Sequence, residues 1–69
     1  MTSIAHENAR KLEAIKTAGN SYMVRKYAGA WVPVIIVGGT RKTFAHCSTS
    51  GGAMETAITK CAEASGYKA

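Results

Sequence analysis

The chain has no aspartate. Its 69 residues carry four acids, Glu7, Glu13, Glu55 and Glu63, against nine lysines and arginines. Four scattered carboxylates offer no pair for general acid–base work, and the chain reads as a non-enzyme. Cysteine is also scarce. Cys47 and Cys61 are too few for a disulfide framework and read as small buried thiols in a reducing compartment. Together with His6 and His46 they are the soft metal ligands of the chain, and they have neither C-x-x-C nor H-x-x-x-H spacing. No metal site and no cofactor is therefore implied. A Cys–His nucleophile pair is excluded on geometry, because neighbours on a strand such as His46 and Cys47 point to opposite faces.

Long apolar runs are missing as well. The first eleven residues are polar and lack the apolar core of a signal peptide. The one sustained apolar stretch, Trp31-Val-Pro-Val-Ile-Ile-Val37, is far too short to span a bilayer. The chain reads as soluble, intracellular and cytoplasmic. It leaves no room for a second domain, so residues 1–69 form one small unit. A domain of this size buries only about 60% of its unfolded surface.

The apolar stretch organises what is present. It is rich in β-branched residues and closed by Gly38-Gly39, the pattern of a strand buried on both faces. Residues 21–27 read as a half-buried strand before it, and residues 40–46 as a third strand after it. Ala28-Gly29 and Gly38-Gly39 suit tight hairpin turns. Residues 3–18 read as an amphipathic helix, capped by Ser3, with a thin stripe of Ala5, Ala9, Leu12 and Ile15, and stopped at Gly19-Asn20. Residues 53–65 read as a second helix, capped by Thr49 or Ser50 and ended by Gly66, with Met54, Ala57, Ile58, Cys61 and Ala64 as its stripe. Gly51-Gly52 before it reads as a flexible loop end, with a small anion nest as the sharper alternative. The predicted fold class is α+β: helix, three-stranded antiparallel meander, helix, with the C-terminal helix on one face of the sheet.

Two-residue turns at both hairpins fix which side chains share a face. Met23, Arg25, Val32, Val34, Ile36, Arg41, Thr43 and Ala45 fall on one face. Tyr22, Val24, Lys26, Trp31, Pro33, Ile35, Lys42, Phe44 and His46 fall on the other. The second set holds the largest side chains, so it is the side predicted to take the C-terminal helix. Lys26 and Lys42 then lie at its margins and snorkel outward, and His46 opposite Trp31 reads as a core-edge histidine. The first face has an aliphatic centre with arginines near its corners. The N-terminal helix, a second copy or a partner would cover it. Pro33 lacks an N–H, and a bulge beside it would flip part of this map.

Charge is distributed unevenly. Residues 1–20 carry a net +1 and residues 47–69 a net of zero, whereas residues 21–46 carry Arg25, Lys26, Arg41 and Lys42 with no acid, a net +4. An unopposed basic patch is an electrostatic footprint for a polyanion; lysines protecting a strand edge against aggregation are the plain alternative.

From Trp31 onward the chain resembles the three-stranded DNA-binding domains of the ethylene-response-factor type, to which the arm-binding domains of tyrosine integrases are similar in shape. Trp31, Ile35, Val37, Gly39, Arg41-Lys42, Phe44, Thr49, Ala53 and Ala57 carry the likeness in one ungapped frame. The resemblance implies a sheet laid in the major groove of duplex DNA. By position Arg41 matches a DNA-contacting arginine and Arg25 another. Two outer positions of the middle strand, charged in that family, are Val34 and Ile36 here, which form no hydrogen bonds to base edges. The element order also looks like the double-stranded RNA-binding fold, but Ser50-Gly-Gly-Ala-Met-Glu55 lacks the lysine cluster that grips phosphates there.

Two functions compete. In the first, a small basic protein binds duplex DNA, with Arg25, Lys26, Arg41 and Lys42 on phosphates and Thr43 near a base edge. In the second, a small inhibitor of the kind phages and mobile elements encode, such as those directed at CRISPR complexes, meets a host protein or nucleoprotein complex through Met23, Val32, Val34 and Ile36. A homodimer through the aliphatic face is compatible with either.

Overall fold

Strand-forming residues from Ser21 to Thr43 build a three-stranded antiparallel meander in a computed structural model that describes residues 4–68. β1 (Ser21–Tyr27), β2 (Ala30–Val37) and β3 (Thr40–Thr43) lie in sequence order, with β2 in the middle. Helix α1 (Ile4–Ala18) precedes the sheet and helix α2 (Ser50–Ala64) follows it. The fold is α+β, and α2 packs across β1 and β2. Ser3 and the side chains of Ala5 and His6 lie outside the described residues.

The register agrees with two-residue turns at both hairpins. Arg25 pairs with Val32 and Met23 with Val34; Ile36 pairs with Arg41 and Val34 with Thr43. Both turns hold two successive residues at positive φ, Ala28 and Gly29 in the first (51° and 81°), Gly38 and Gly39 in the second (58° and 81°). That backbone twist matches the twist of the flanking strands. Ala28 adopts it against the clash of its Cβ, whereas glycine does so freely.

β3 ends at Thr43, three residues before the predicted His46, and Pro33 supplies the reason. The Phe44 N–H donates to the Pro33 carbonyl at 3.0 Å. In a regular antiparallel pair the second residue donates back, but proline has no N–H, so the ladder lapses. Two residues, Ala45 and His46, then stand opposite Val32 alone. Pairing resumes one residue out of step, where Cys47 and Trp31 exchange bonds of 2.7 and 3.0 Å. This is the geometry of a bulge. It corrects the predicted placement of His46 opposite Trp31: Cys47 stands there, and His46 is exposed. Cys47 is half-buried and Cys61 is fully buried.

The core lies between α2 and one face of the sheet. Ile35, Ile58, Cys61, Ala62 and Ile15 of α1 form it, with Tyr22, Val37, Phe44 and Tyr67 packed around them. The buried stripe of α2 is Ala53, Ala57, Ile58, Cys61 and Ala62. It is turned from the predicted one, since Met54 and Ala64 are exposed. Small residues facing the sheet let the helix approach closely, which a methionine there would prevent. α2 also begins earlier than predicted. Thr49 Oγ1 accepts from the Gly52 N–H at 3.0 Å, an N-cap that draws Gly51 and Gly52 into the first helical turn in place of a loop. The Cys61 thiol donates to the Ser21 carbonyl at 3.3 Å. Burial pushes this thiol above its ordinary range, opposed by its hydrogen bond with Ser65.

α1 packs beside α2, and of the described side chains of its predicted stripe Ile15 is buried, Leu12 is 39% exposed and Ala9 is also exposed. Polar contacts help to hold it: Lys11 Nζ donates to Thr59 Oγ1 at 3.1 Å and lies 5.9 Å from the Tyr67 ring centre. After α1, Asn20 ties together the ends of two elements. Its Nδ2 donates to Ser65 Oγ at 2.8 Å and its Oδ1 accepts from the Gly38 N–H at 3.3 Å. Among the described residues, no helix is long and apolar enough to cross a membrane.

Candidate nucleic-acid interface

The two faces of the sheet have different partners. Tyr22, Ile35, Val37 and Phe44 meet α2 and the core. The opposite face carries Met23, Arg25, Tyr27, Val32, Val34, Ile36, Arg41 and Thr43 by the pairing register. Among the described residues, neither helix makes this face its packing surface: α2 lies on the other side and α1 packs against α2. We call it the outer face.

Arg25 and Arg41 share the outer face and both are exposed. Arg25 stands opposite Val32 and Arg41 opposite Ile36, on the two edge strands. That offset is four residues along the strand and two strand spacings across it, so their Cα atoms are roughly 16 Å apart on a diagonal. The major groove of B-DNA is about 12 Å wide, so the two flexible guanidiniums have a span suited to phosphates on either side of it. Thr43 is exposed beside the centre of the same face.

All four acids of the chain lie on the helices: Glu7 and Glu13 on α1, Glu55 and Glu63 on α2. The sheet contains none, so the layer that bears the outer arginines has no carboxylate of its own to neutralise them. Positive charge focused on one open surface raises the local potential for an anionic ligand.

The two lysines of the basic quartet are placed differently. Lys26 and Lys42 fall on the helix side of the sheet, at its margins. Lys26 Nζ lies 5.5 Å from the centre of the Trp31 ring and Lys42 Nζ 5.9 Å from that of Phe44. Each stem covers aromatic surface while the ammonium stays in solvent. The quartet is therefore two outer arginines with a lysine behind each, around the sheet edge.

The aliphatic centre is also altered by the geometry. Val34 is only 1% exposed, and its neighbours on this face are its cross-strand partners Met23 and Thr43 and, along its own strand, Val32 and Ile36. It has almost no surface left to offer a partner. Met23, Val32 and Ile36 are half-buried and keep some.

Among the aromatic residues interleaved with Arg25 and Lys26 in the sequence, Tyr22, Tyr27 and Trp31, Tyr27 is the one this face carries. Tyr27 is 70% exposed. It pairs with Ala30 and lies two positions beyond Arg25 on the same strand, hence on the same face. The alternation Met23, Arg25, Tyr27 carried the signal. An exposed tyrosine beside an arginine presents a ring face for base or sugar contact next to a phosphate ligand.

Among the described residues there is no cluster of three or more His, Cys, Asp or Glu side chains that could hold a metal ion. Comparison with protein families, with curated proteins and with solved structures yields no match.

Proposed function

We propose that this protein is a small, non-catalytic nucleic-acid-binding protein that lays the outer face of its sheet on duplex DNA. The observation that carries the reading is the exposure of Arg25 and Arg41 on one uncovered face of a sheet that holds no acid. The resemblance of residues 31–57 to ethylene-response-factor-type domains supports the same use of the sheet. Arg25 and Arg41 engage phosphates, Lys26 and Lys42 add contacts at the margins, and Thr43 and Tyr27 approach the bases or sugars. The aliphatic centre supplies no hydrogen bonds to base edges, so affinity comes mainly from the backbone and discrimination between sequences is modest.

Fluorescence anisotropy with a random-sequence duplex, titrated across salt concentrations, tests this. Four phosphate contacts give a log–log slope of roughly −3 to −4, and the two arginines alone roughly −2. A binding constant that barely responds to salt, or no binding at low salt, removes the proposal.

The half-buried Met23, Val32 and Ile36 favour one second reading, a host protein or nucleoprotein complex as the target. Under it Arg25→Glu abolishes partner binding while no affinity for DNA is measured at any salt concentration.

A further inference from the structure

A second recognition surface lies at the β3 edge. The bond from Phe44 to Pro33, and the exchanged pair between Trp31 and Cys47, fix the hydrogen-bonding phase of the ladder. Residues 40 and 42 point their backbone groups toward β2, so those of Arg41 and Thr43 point away from the sheet. Among the described residues neither N–H has another backbone or side-chain acceptor. Two residues of free edge thus face outward in register.

Beside this edge runs a groove of about 560 Å³ between β3 and α2. Ile35, Val37 and Phe44 supply its apolar lining, and Lys42, Lys60 and Glu63 its charged rim. The rim is net positive, and Arg41 stands on the other side of the same strand. An added strand would alternate its side chains between these two environments. One set would enter the apolar groove. The other would lie beside Arg41, where an opposite charge is favoured.

We propose that the β3 edge and its groove form a docking site for an extended segment of a partner protein in which apolar and acidic residues alternate. Backbone pairing to Arg41 and Thr43 supplies affinity, and the groove and the cations set the side-chain preference. The site shares Arg41 and Lys42 with the proposed DNA surface but does not rest on DNA binding, because its backbone donors and its apolar groove lie off the outer face.

Selection of a displayed random octapeptide library on the immobilised full chain tests it, followed by anisotropy with the enriched peptides. The expected result is enrichment of alternating apolar and acidic residues. Thr43→Pro removes one outward donor at an edge position where proline is tolerated, and should weaken those peptides about tenfold. Arg41→Glu, at an exposed position, reverses the charge beside the acidic set while leaving the backbone donor in place, and should weaken them by about fivefold. Lys16→Glu makes the same charge change on α1 and should leave their affinity unaltered. An unenriched library, enrichment without the alternation, Thr43→Pro binding as tightly as the parent, or Arg41→Glu no weaker than Lys16→Glu each overturns the proposal.

Discussion

Two neighbouring isoleucines of β2 live in different surroundings. Ile35 is 3% exposed and packs into the core under α2, whereas Ile36 is half-buried on the outer face, where no described element packs. The strand reads as one unbroken apolar run, yet the two faces serve different purposes. The inner face has shape and burial and binds the chain to itself. The outer face has arginines and partial exposure, and no described element packs on it. Hydrophobicity alone does not separate them; alternation and the position of charge do.

The comparison breaks most visibly in stability. Ile35→Ala should cost about 3 kcal/mol, because it opens a cavity against α2, while Ile36→Ala should cost about 1 kcal/mol. A domain of this length has a total stability of only about 3 to 10 kcal/mol, so urea melts of the two variants should differ plainly in midpoint. Equal losses would mean that the outer face is as well packed as the inner one. A smaller effect sharpens the comparison at the turn that sets the register. Ala28 sits at φ 51° where the other hairpin has glycine. Ala28→Gly relieves the left-handed strain but adds entropy to the unfolded chain, for a net gain of up to about 1 kcal/mol. A loss of stability in the same melts would show that Ala28 is not strained there.

Much of this was legible in the sequence. Two turns of two residues, each able to hold positive φ, fixed the pairing of Arg25 with Val32 and of Arg41 with Ile36, and with it the shared face of the arginines. The far end of β3 was less legible. Pro33 signalled trouble, but whether its missing N–H would shorten the strand or shift it depended on the bond that Phe44 makes. The stripe of α2 was misplaced for a different reason. Hydropathy favours Met54 over Ala53, while close packing against a sheet favours the smaller side chain. Gly51 and Gly52 read as loop because glycine is a poor helix former, and the Thr49 cap outweighs that preference. What lies over the outer face was not legible at all, since an amphipathic α1 was a plausible cover until its packing against α2 was seen.

Under the proposed function, the location of charge on the outer face, and not the total charge of +5, would set the affinity for DNA. Two double variants separate these. Arg25→Glu with Arg41→Glu, and Lys16→Glu with Lys68→Glu, each lower the net charge by four, from +5 to +1. Anisotropy on one duplex at one low salt concentration should show a loss of about a hundredfold or more for the outer-face pair and of about tenfold or less for the other. Equal losses from the two pairs would contradict the account.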